Sequence, residues 1–282
     1  MSFSANVKNE ILSTELDNDC CRHAFAYGMM LFSRAFSSYD MSILTENSGV
    51  AEKYLELTKS VCGVKPQLIK TEAGKFKVEV TTKDERLKVL ETFGYDKKSG
   101  ALRLNWSNIS DECCKTAFLQ GVFLTCGTIN DPNKNYHLEF VLTEESAAEQ
   151  LKELVNSFGL DAKVVERKEH YVVYLKEGEQ IVDLLNIMEA PLALMDLENV
   201  RIVKEMRNDI NRKVNCETAN LNKVVGAAVK QLEDIEYIEE HMGLSSLPEQ
   251  LEEIARIRLE YPDKSLKELG SFLSTPVGKS GV

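Results

Sequence analysis

Cysteine is the residue type in this sequence with the clearest capacity for chemistry, and four of the seven cysteines occur as adjacent pairs. The pairs are Cys20-Cys21 and Cys113-Cys114. Thiolates bind zinc, but zinc sites usually show Cys-x-x-Cys or paired His spacing, and neither pattern occurs here. The odd number of cysteines argues against a complete disulfide framework. The sequence therefore favours free, buried thiols in a reducing compartment over metal or disulfide chemistry.

No other residue pattern indicates a catalytic centre. The sequence contains no P-loop, no Gly-x-Gly-x-x-Gly and no Gly-x-Ser-x-Gly, so nucleotide hydrolysis and esterase chemistry have no support. His137 and His170 each lie in a predicted strand without an acid–nucleophile pair nearby in sequence, which favours structural roles. We expect no catalytic residue, no metal ligand and no cofactor.

Composition narrows the class of protein. The chain has 282 residues, of which 43% are hydrophobic, and this length suits about two domains. The net charge of −11 argues against a chain that coats nucleic acid or an anionic membrane along its whole surface, although a local basic face stays open. The first residues show no signal peptide, and no apolar run approaches the ~18 residues of a membrane span. We expect a soluble, cytoplasmic protein.

Each cysteine pair opens one copy of an internal repeat. The copies are CCRHAFAYGMMLFSRAF, residues 20–36, and CCKTAFLQGVFLTCGTI, residues 113–129, with six of seventeen positions identical. Apolar residues recur at helical spacing in both, which predicts a helix with an interior glycine, Gly28 or Gly121. Glycine within a helix costs ~1 kcal/mol relative to alanine. Its recurrence therefore predicts that the two helices pack closely against each other.

The order of elements after each copy also repeats. In the first half we predict a strand at 41–46, a helix at 48–62, strands at 67–72 and 75–82, and a helix at 83–93. In the second half we predict a strand at 136–143, a helix at 144–158, strands at 162–167 and 170–176, and a helix at 178–188. The order α-β-α-β-β-α thus occurs twice, in residues 1–100 and 101–198. This predicts a duplicated α+β unit with the glycine-containing helices at a pseudo-twofold axis.

This constellation resembles the LAGLIDADG homing endonucleases, whose motif helices pair at the centre of a DNA-binding saddle. The motif aligns with residues 26–34 and 119–127. In the nucleases, the penultimate position of each motif is an acid that holds the catalytic metal. Here the aligned residues are Ser33 and Cys126, neither of which offers Mg²⁺ the anionic oxygen it prefers. The resemblance therefore implies the fold without the cleavage chemistry, unless a neighbouring carboxylate such as Asp131 substitutes.

From about residue 199 the pattern becomes entirely helical. Residues 199–231 carry seven basic and three acidic side chains, a net charge of +4 within an acidic protein. We assign 199–230 to a basic linker or helix and expect Arg207, Arg212, Lys213 and Lys223 to contact DNA phosphates. A solvated linker that leads into a helix is the alternative. The asparagines of this stretch favour turn and capping roles.

Residues 231–282 have the pattern of a helix-turn-helix domain. An acidic part, 233–260, predicts two scaffold helices, and Ser265 with Glu268 forms a capping box before a further helix. Gly270 is small where the second helix must cross, the turn is Ser274–Pro276, and GKSGV opens the recognition helix. We expect Ser265, Lys267, Lys279 and Ser280 to contact DNA. A helical hairpin without a DNA role is the alternative.

The whole chain then resembles the WhiA family of bacterial transcription regulators, in which a degenerate LAGLIDADG domain precedes a helix-turn-helix. The segments that carry the resemblance are CCRHAF, CCKTAFLQG, DPNKNYHLE, VVYLKEGEQIVDLLN, ENVRIVKEMRNDINRKVNCETANLNK and SLKELG. It implies a non-enzymatic DNA-binding regulator with roles in cell division, chromosome segregation and sporulation. The implied partner is double-stranded DNA, with RNA polymerase or other regulators as further candidates and no membrane, and the implied location is the nucleoid. Gly278 replaces the usual Ser, and the end at Val282 predicts a truncated recognition helix.

Two other functions stay open at this stage. An active endonuclease would need acids at Ser33 and Cys126. An interaction scaffold, in which the saddle binds a protein or a small molecule, suits the acidic net charge. The charge of the strand face discriminates between DNA and other partners, and the predicted strands are mildly basic. Their basic residues are Lys70, Lys75, Lys77, Lys163, Arg167, Lys168 and Lys176, against Glu72, Glu79, Glu166 and Glu169.

Overall fold

The computed structural model describes residues 2–96 and 103–282, which form two compact units divided after Val203. The helices are α1 (Phe3–Leu12), α2 (Asp19–Leu31), α3 (Ser48–Cys62), α4 (Lys83–Thr92), α5 (Glu112–Cys126), α6 (Glu145–Asn156), α7 (Gly178–Ile187), α8 (Pro191–His241), α9 (Glu249–Glu260) and α10 (Leu266–Phe272). The strands are β1 (Ala35–Phe36), β2 (Met41–Thr45), β3 (Gln67–Lys70), β4 (Phe76–Glu79), β5 (Gly127–Ile129), β6 (Leu138–Leu142), β7 (Lys163–Arg167) and β8 (His170–Leu175). The chain is α+β with a helical last third, as predicted.

The two sheets confirm the duplication. Their strand orders are β1-β2-β4-β3 and β5-β6-β8-β7, and all neighbouring strands are antiparallel. The predicted repeat was wrong in one respect, because each copy has the order α-β-β-α-β-β-α. The ends of the two motif segments form β1 and β5 instead of extending the helices. Strands of two or three residues are too short to show an alternating pattern in the sequence.

Local signals explain why most boundaries are close to the predicted ones. Helix α3 has the predicted bounds, because Asn47 Oδ1 accepts from the Val50 N–H at 3.3 Å and Gly63 ends the helix with a φ of 63°. The β7–β8 turn places Lys168 and Glu169 at positive φ, as a two-residue hairpin requires. Helix α1 was not predicted. It is capped by Ser2 and buries Val7 and Ile11.

Helices α2 and α5 form the centre of the first unit and pack against each other as predicted. A Cβ added to Gly28 would overlap with the carbonyl oxygen of Phe118 and lie 3.1 Å from the backbone nitrogen of Val122. A Cβ on Gly121 would overlap with the carbonyl oxygen of Phe25. The two helices are therefore in backbone contact at the same glycine position. Large buried side chains surround this contact, among them Tyr27, Phe25, Phe118, Phe123, Met29 and Met30.

The same helical position holds a buried polar residue in both copies, with different partners. Tyr27 and Gln120, each next to the motif glycine, are fully buried polar residues. The Tyr27 hydroxyl lies 2.6 Å from the Tyr95 hydroxyl and accepts from the Asn105 N–H at 2.7 Å. Gln120 Nε2 donates to the Met188 carbonyl at 2.9 Å. In both copies the buried polar group therefore ties the central helix to the chain that follows the last helix of its own repeat.

The structure corrects one expectation about the cysteines. They are free, but Cys20, Cys113 and Cys216 are exposed rather than buried. Helical periodicity placed them in helices but did not show which positions face solvent. Among the described residues, no helix is both long and apolar enough to span a membrane.

Candidate nucleic-acid interface

Helix α10 begins at the predicted capping box. Ser265 Oγ accepts from the Glu268 N–H at 3.3 Å, and Glu268 Oε2 accepts from the Ser265 N–H at 2.9 Å and from its hydroxyl at 2.8 Å. These hydrogen bonds hold the pKa of Glu268 below its usual value, and the bond from the Ser265 N–H has a larger effect than the bond from its hydroxyl. The Ser265 hydroxyl is thus engaged in the helix start, and a contact with a DNA phosphate would have to share it.

Gly270 makes the close approach that a helix-turn-helix requires. Its carbonyl accepts from the Val277 N–H at 3.0 Å, and a Cβ at this position would overlap with the Val277 carbonyl oxygen. The turn before Val277 is held to α9, because Glu253 accepts from the Ser274 N–H at 2.6 Å and from its hydroxyl at 3.1 Å. The backbone after the turn therefore packs against α10 at the predicted residue.

Lys267, Lys279 and Ser280 are all exposed. Lys267 lies in the first turn of α10, whereas Lys279 and Ser280 lie in a turn that is closed by the bond from the Gly281 N–H to the Gly278 carbonyl at 2.9 Å. Each of these side chains can reach a phosphate without the loss of an internal ion pair in the described residues.

The four basic residues predicted from the linker lie on α8 and are exposed: Arg207, Arg212, Lys213 and Lys223. At 3.6 residues per turn, Arg212 and Lys223 share one face, opposite a stripe of exposed apolar side chains. Arg207 and Lys213 border that stripe. Its members include Met206, Ile210, Val214 and Leu221, each more than half exposed.

The predicted interface is not one compact patch. Gln231, a residue of α8 that contacts the helix-turn-helix region, follows Arg207 by 24 residues, or about 36 Å along the helix axis. Lys223 lies only about 12 Å from Gln231 by the same measure. The eight residues therefore form a cluster around α10 and a basic row that extends along α8.

The interpretation of the asparagines as turn and capping residues was wrong. Asn208, Asn211, Asn215, Asn220 and Asn222 all lie inside α8. An asparagine inside a helix costs only tenths of a kcal/mol relative to alanine. The helical spacing of the surrounding residues outweighs this cost, so the helix continues through the asparagines. Both predicted boundaries of the basic segment, 198/199 and 230/231, also lie within this helix.

Arg258 is a structural residue of this region that the sequence analysis missed. It is 4% exposed, and its Nε and Nη2 donate to Gln231 Oε1 at 3.1 and 2.9 Å. Its Nη1 donates to the Lys264 carbonyl at 2.7 Å. Burial lowers the pKa of Arg258. The guanidinium thus joins α8 and α9 to the loop before α10. The sequence alone shows Arg258 only as one of two basic residues in the acidic stretch 233–260.

The solvent face of the first sheet is neither strongly basic nor strongly polar. Strand register aligns Leu44, Lys77 and Ile69 in one row across it. Lys77 forms an ion pair with Glu79 on the same strand. Leu44 and Ile69 are 37% and 41% exposed, so apolar surface flanks a locally neutralised charge.

The solvent face of the second sheet likewise has exposed apolar residues and an ion pair. Val141 and Val165 are 37% and 45% exposed on its solvent face. Lys163 Nζ lies 3.5 Å from Asp161, and His137 Nε2 lies 2.9 Å from Glu139. Of the basic charge predicted for these strands, that of Lys163 is therefore balanced by an acid beside it.

The two positions that align with the nuclease acids are engaged in local hydrogen bonds. Ser33 follows α2, and its Oγ donates to the carbonyls of Met30 at 2.7 Å and Ala35 at 3.2 Å. Cys126 ends α5, and its Sγ lies 3.4 Å from the Val122 carbonyl. Burial raises the pKa of Cys126 to about 12, which keeps the thiol neutral. Neither group presents an anion to a metal.

A lysine lies close to Cys126 at the end of α5. Lys8 of α1 donates from Nζ to the Leu124 carbonyl at 3.1 Å, in the last turn of α5. Burial lowers the pKa of Lys8, while its interaction with Cys126 acts in the opposite direction. An ammonium at this helix end satisfies the carbonyls and the negative end of the helix dipole. The same charge disfavours a divalent cation there.

Asp131, the carboxylate considered as a substitute ligand, belongs to a turn. Its Oδ1 accepts from the Asn133 N–H at 2.9 Å and from Asn133 Nδ2 at 3.0 Å. It is exposed and follows β5. This carboxylate therefore caps its own turn.

Comparison with known families agrees with both halves of this architecture. The family model described as the WhiA LAGLIDADG-like domain matches residues 115–207, and the model described as the WhiA C-terminal HTH domain matches residues 210–282. A protein of Alkaliphilus oremlandii named probable cell division protein WhiA is 46% identical over all of this chain and 93% of its own length. Its namesake in Alkaliphilus metalliredigens is 42% identical over all of this chain and 94% of its own length.

Solved structures show the same fold. The full-length DUF199/WhiA of Thermatoga maritima matches with a TM-score of 0.64 at 22% identity, over all of this chain and 94% of that one. The N-terminal LAGLIDADG domain of DUF199/WhiA matches 66% of this chain and 90% of its own, with a TM-score of 0.52 and 17% identity. The fold thus defines a LAGLIDADG-like domain joined to a helix-turn-helix domain. This chain belongs to the WhiA family.

Proposed function

We propose that the chain is a non-enzymatic, DNA-binding transcriptional regulator whose helix-turn-helix region contacts double-stranded DNA. The observation that carries the proposal is the crossing at Gly270, where the chain after the turn packs directly on a capped α10. Lys267 and Lys279 are exposed on the two segments that this crossing joins. A capped helix with an adjacent packed segment, both carrying exposed lysines, is an arrangement that can place a protein on DNA phosphates.

The role that fits the family is regulation of genes of cell division, with chromosome segregation and sporulation as the related processes. Its site of action would be the nucleoid within the cytoplasm, with RNA polymerase or other regulators as protein partners. Arg212 and Lys223 on the basic face of α8 would add phosphate contacts beside the helix-turn-helix region. Such contacts increase affinity without a preference for sequence.

Binding of the full chain to genomic double-stranded DNA fragments at two salt concentrations tests the proposal. Lys267→Glu with Lys279→Glu is expected to weaken binding at least about tenfold and to reduce the salt slope by about two, since each lost phosphate contact removes about 0.9. Lys59→Glu with Lys65→Glu changes the net charge equally on the exposed surface of the first repeat. Equal losses in both double variants, or no binding at either salt, would contradict the proposal.

Binding of a protein or a small molecule by the saddle is a second candidate function, favoured by the exposed apolar residues and the ion pairs of Lys77 and Lys163 on the sheet faces. If the saddle binds a protein or a small molecule rather than DNA, Lys163→Glu with Arg167→Glu should leave both the affinity for DNA and its salt slope unchanged. A loss as large as that of the helix-turn-helix variant would instead place DNA on the strands.

The absence of nuclease activity is tested separately. Supercoiled DNA incubated with the chain and Mg²⁺ is expected to stay intact, because Ser33 and Cys126 supply no anionic ligand and Lys8 repels the cation. Nicking that disappears in Asp131→Asn, but persists in Asn133→Asp, would show that Asp131 replaces the missing acids.

A further inference from the structure

The two cysteine pairs of the repeat meet in space. The Sγ atoms of four cysteines lie within 4.8 Å of one another, and this cysteine cluster consists of Cys20, Cys21, Cys113 and Cys114. Within the first pair the two sulfur atoms are 4.0 Å apart. Residues separated by ninety-three positions thus form one group of sulfur atoms, with one exposed and one buried member from each pair.

The fold dictates this meeting. Helices α2 and α5 are in backbone contact at Gly28 and Gly121, and their first turns also lie together, so the two helices are parallel. Cys21 precedes Gly28 by seven residues, and Cys114 precedes Gly121 by the same number. Two parallel helices fixed at equivalent glycines must bring their equivalent first turns together. The cluster therefore lies on the pseudo-twofold axis and receives two sulfurs from each repeat.

We propose that the cysteine cluster is a structural Zn²⁺ site that joins the N-terminal ends of α2 and α5. Four thiolates are a complete ligand set for tetrahedral zinc, with Zn–S bonds of about 2.3 Å and hence sulfur–sulfur separations of about 3.8 Å. The sulfurs need to approach by no more than about 1 Å from the upper limit of 4.8 Å. Side-chain rotation in the first turn of each helix supplies a movement of this size.

The helix starts suit bound thiolates. Asn18 and Asp111 are the N-cap residues of α2 and α5, but neither side chain makes a capping hydrogen bond. By contrast, Asn47 and Thr82 cap α3 and α4 in the usual way. Backbone N–H groups of an uncapped first turn are oriented towards an acceptor at the helix end. Thiolate sulfurs at this end would accept them and gain from the helix dipole.

The number and closeness of the sulfurs favour a single ion over a cluster. An iron–sulfur cluster places its own iron and sulfide atoms between the cysteines and needs a wider arrangement of ligands. Zinc and other soft ions bind thiolates directly. Four protein ligands leave no open coordination position, so the site would stabilise structure rather than perform chemistry.

The proposed site lies at the opposite end of the helix pair from Ser33 and Cys126. A nuclease of this fold would hold metal at that other end, where this chain instead has Lys8. Zinc at the N-terminal ends would clamp the two repeats without any part in DNA cleavage. The proposal is independent of the DNA-binding function.

Zinc binding by thiols also depends on pH. Each thiol must lose its proton to bind the metal, so the apparent zinc affinity of the cluster should fall as pH falls.

Titration of the reduced full chain with Zn²⁺ and Co²⁺ tests the site. We expect one ion per chain, with the visible bands of tetrahedral Co²⁺ and thiolate-to-cobalt charge transfer, and displacement of Co²⁺ by Zn²⁺. Cys20→Ser with Cys113→Ser removes only exposed sulfurs and should weaken binding at least about 100-fold. Cys126→Ser with Cys216→Ser removes the same number of thiols elsewhere and should bind as the original chain does.

Two further measurements use the original chain and do not depend on variants. Bound zinc should protect four cysteines from alkylation, identified by peptide mapping, and should raise the melting temperature reversibly with chelator. No stoichiometric binding by the reduced chain, equal binding by the two double variants, or disulfides within the cluster that persist under reducing conditions would each overturn the proposal.

Discussion

Gly121 in the LAGLIDADG-like domain and Gly270 in the helix-turn-helix region make the same kind of contact in different surroundings. In each case an added Cβ would overlap with a carbonyl oxygen, that of Phe25 or that of Val277. Phe25 belongs to a helix of thirteen residues that is enclosed by buried side chains. Val277 lies in an exposed segment without regular structure. The cost of filling such a space depends on whether the opposing backbone can move.

The largest effect is expected for Gly121→Ala. The methyl group would meet both the Phe25 carbonyl and the Met29 nitrogen, 2.9 Å away, so α2 must shift together with the sheet packed on it. We expect a loss of about 3 kcal/mol in the free energy of unfolding, measured with urea. Gly226→Ala is the control, because its Cβ would have nothing within 4 Å. That variant should gain up to about 1 kcal/mol from helix propensity. Equal stability of the two variants would contradict the backbone contact.

A smaller and local effect is expected for Gly270→Ala. The added methyl group pushes against Val277 and against Val282 Cγ2, 3.0 Å away, and both can move towards solvent. Hydrogen exchange should become faster in peptides of 249–282, with a free-energy change of about 1–2 kcal/mol, and stay unchanged in peptides of 112–126. DNA binding should weaken in parallel. Unchanged exchange in both regions would show that the glycine is not needed for the crossing.

The smallest effect is expected at the start of α10. Ser265→Ala removes the cap and should cost about 1 kcal/mol, whereas Ser265→Thr keeps the oxygen and should cost less. If Ser265→Thr binds DNA normally while Ser265→Ala does not, the serine acts by positioning α10. Equal loss of binding in both variants, with α10 intact, would indicate direct contact of the serine with DNA.

The pH dependence of this helix start follows from Glu268. Its pKa is lowered in the folded chain, so its contribution is present above its ordinary pKa and is lost as pH falls through the lowered value. The stability difference between the original chain and Glu268→Gln should therefore shrink as the solution becomes acidic. A difference that stays constant with pH would show that the carboxylate charge is not what holds the cap.

Much of the fold could be predicted, because its signals are local. Helix 48–62 was predicted with the observed bounds, and the capping box and Gly270 were identified from spacing alone. The short strands β1 and β5 could not be predicted, because they exist only through pairing with β2 and β6. The asparagines of α8 were misinterpreted because a weak local preference was given more weight than the surrounding helical pattern.

Some residues of the candidate sites could likewise be identified from the sequence, and others could not. Lys267 and Lys279 were identified from their position in a motif, and their contact with DNA stays a prediction. Arg258 was missed because its role depends on Gln231, twenty-seven residues earlier in the chain. Lys8 was missed because nothing in its own segment links it to the end of α5.

The sequence by itself predicted the duplication, the pairing of two glycine-containing helices and a helix-turn-helix pattern, and it placed Ser33 and Cys126 where the resemblance expects the nuclease acids. Each of these predictions follows from residue types and their spacing along the chain. Only the tertiary structure decided that the two cysteine pairs form one cluster and that a lysine of α1 lies at the opposite end of the helix pair. Sulfur atoms ninety-three residues apart become neighbours only when the helices that carry them are parallel and fixed in register, and backbone contact at Gly28 and Gly121 sets that register.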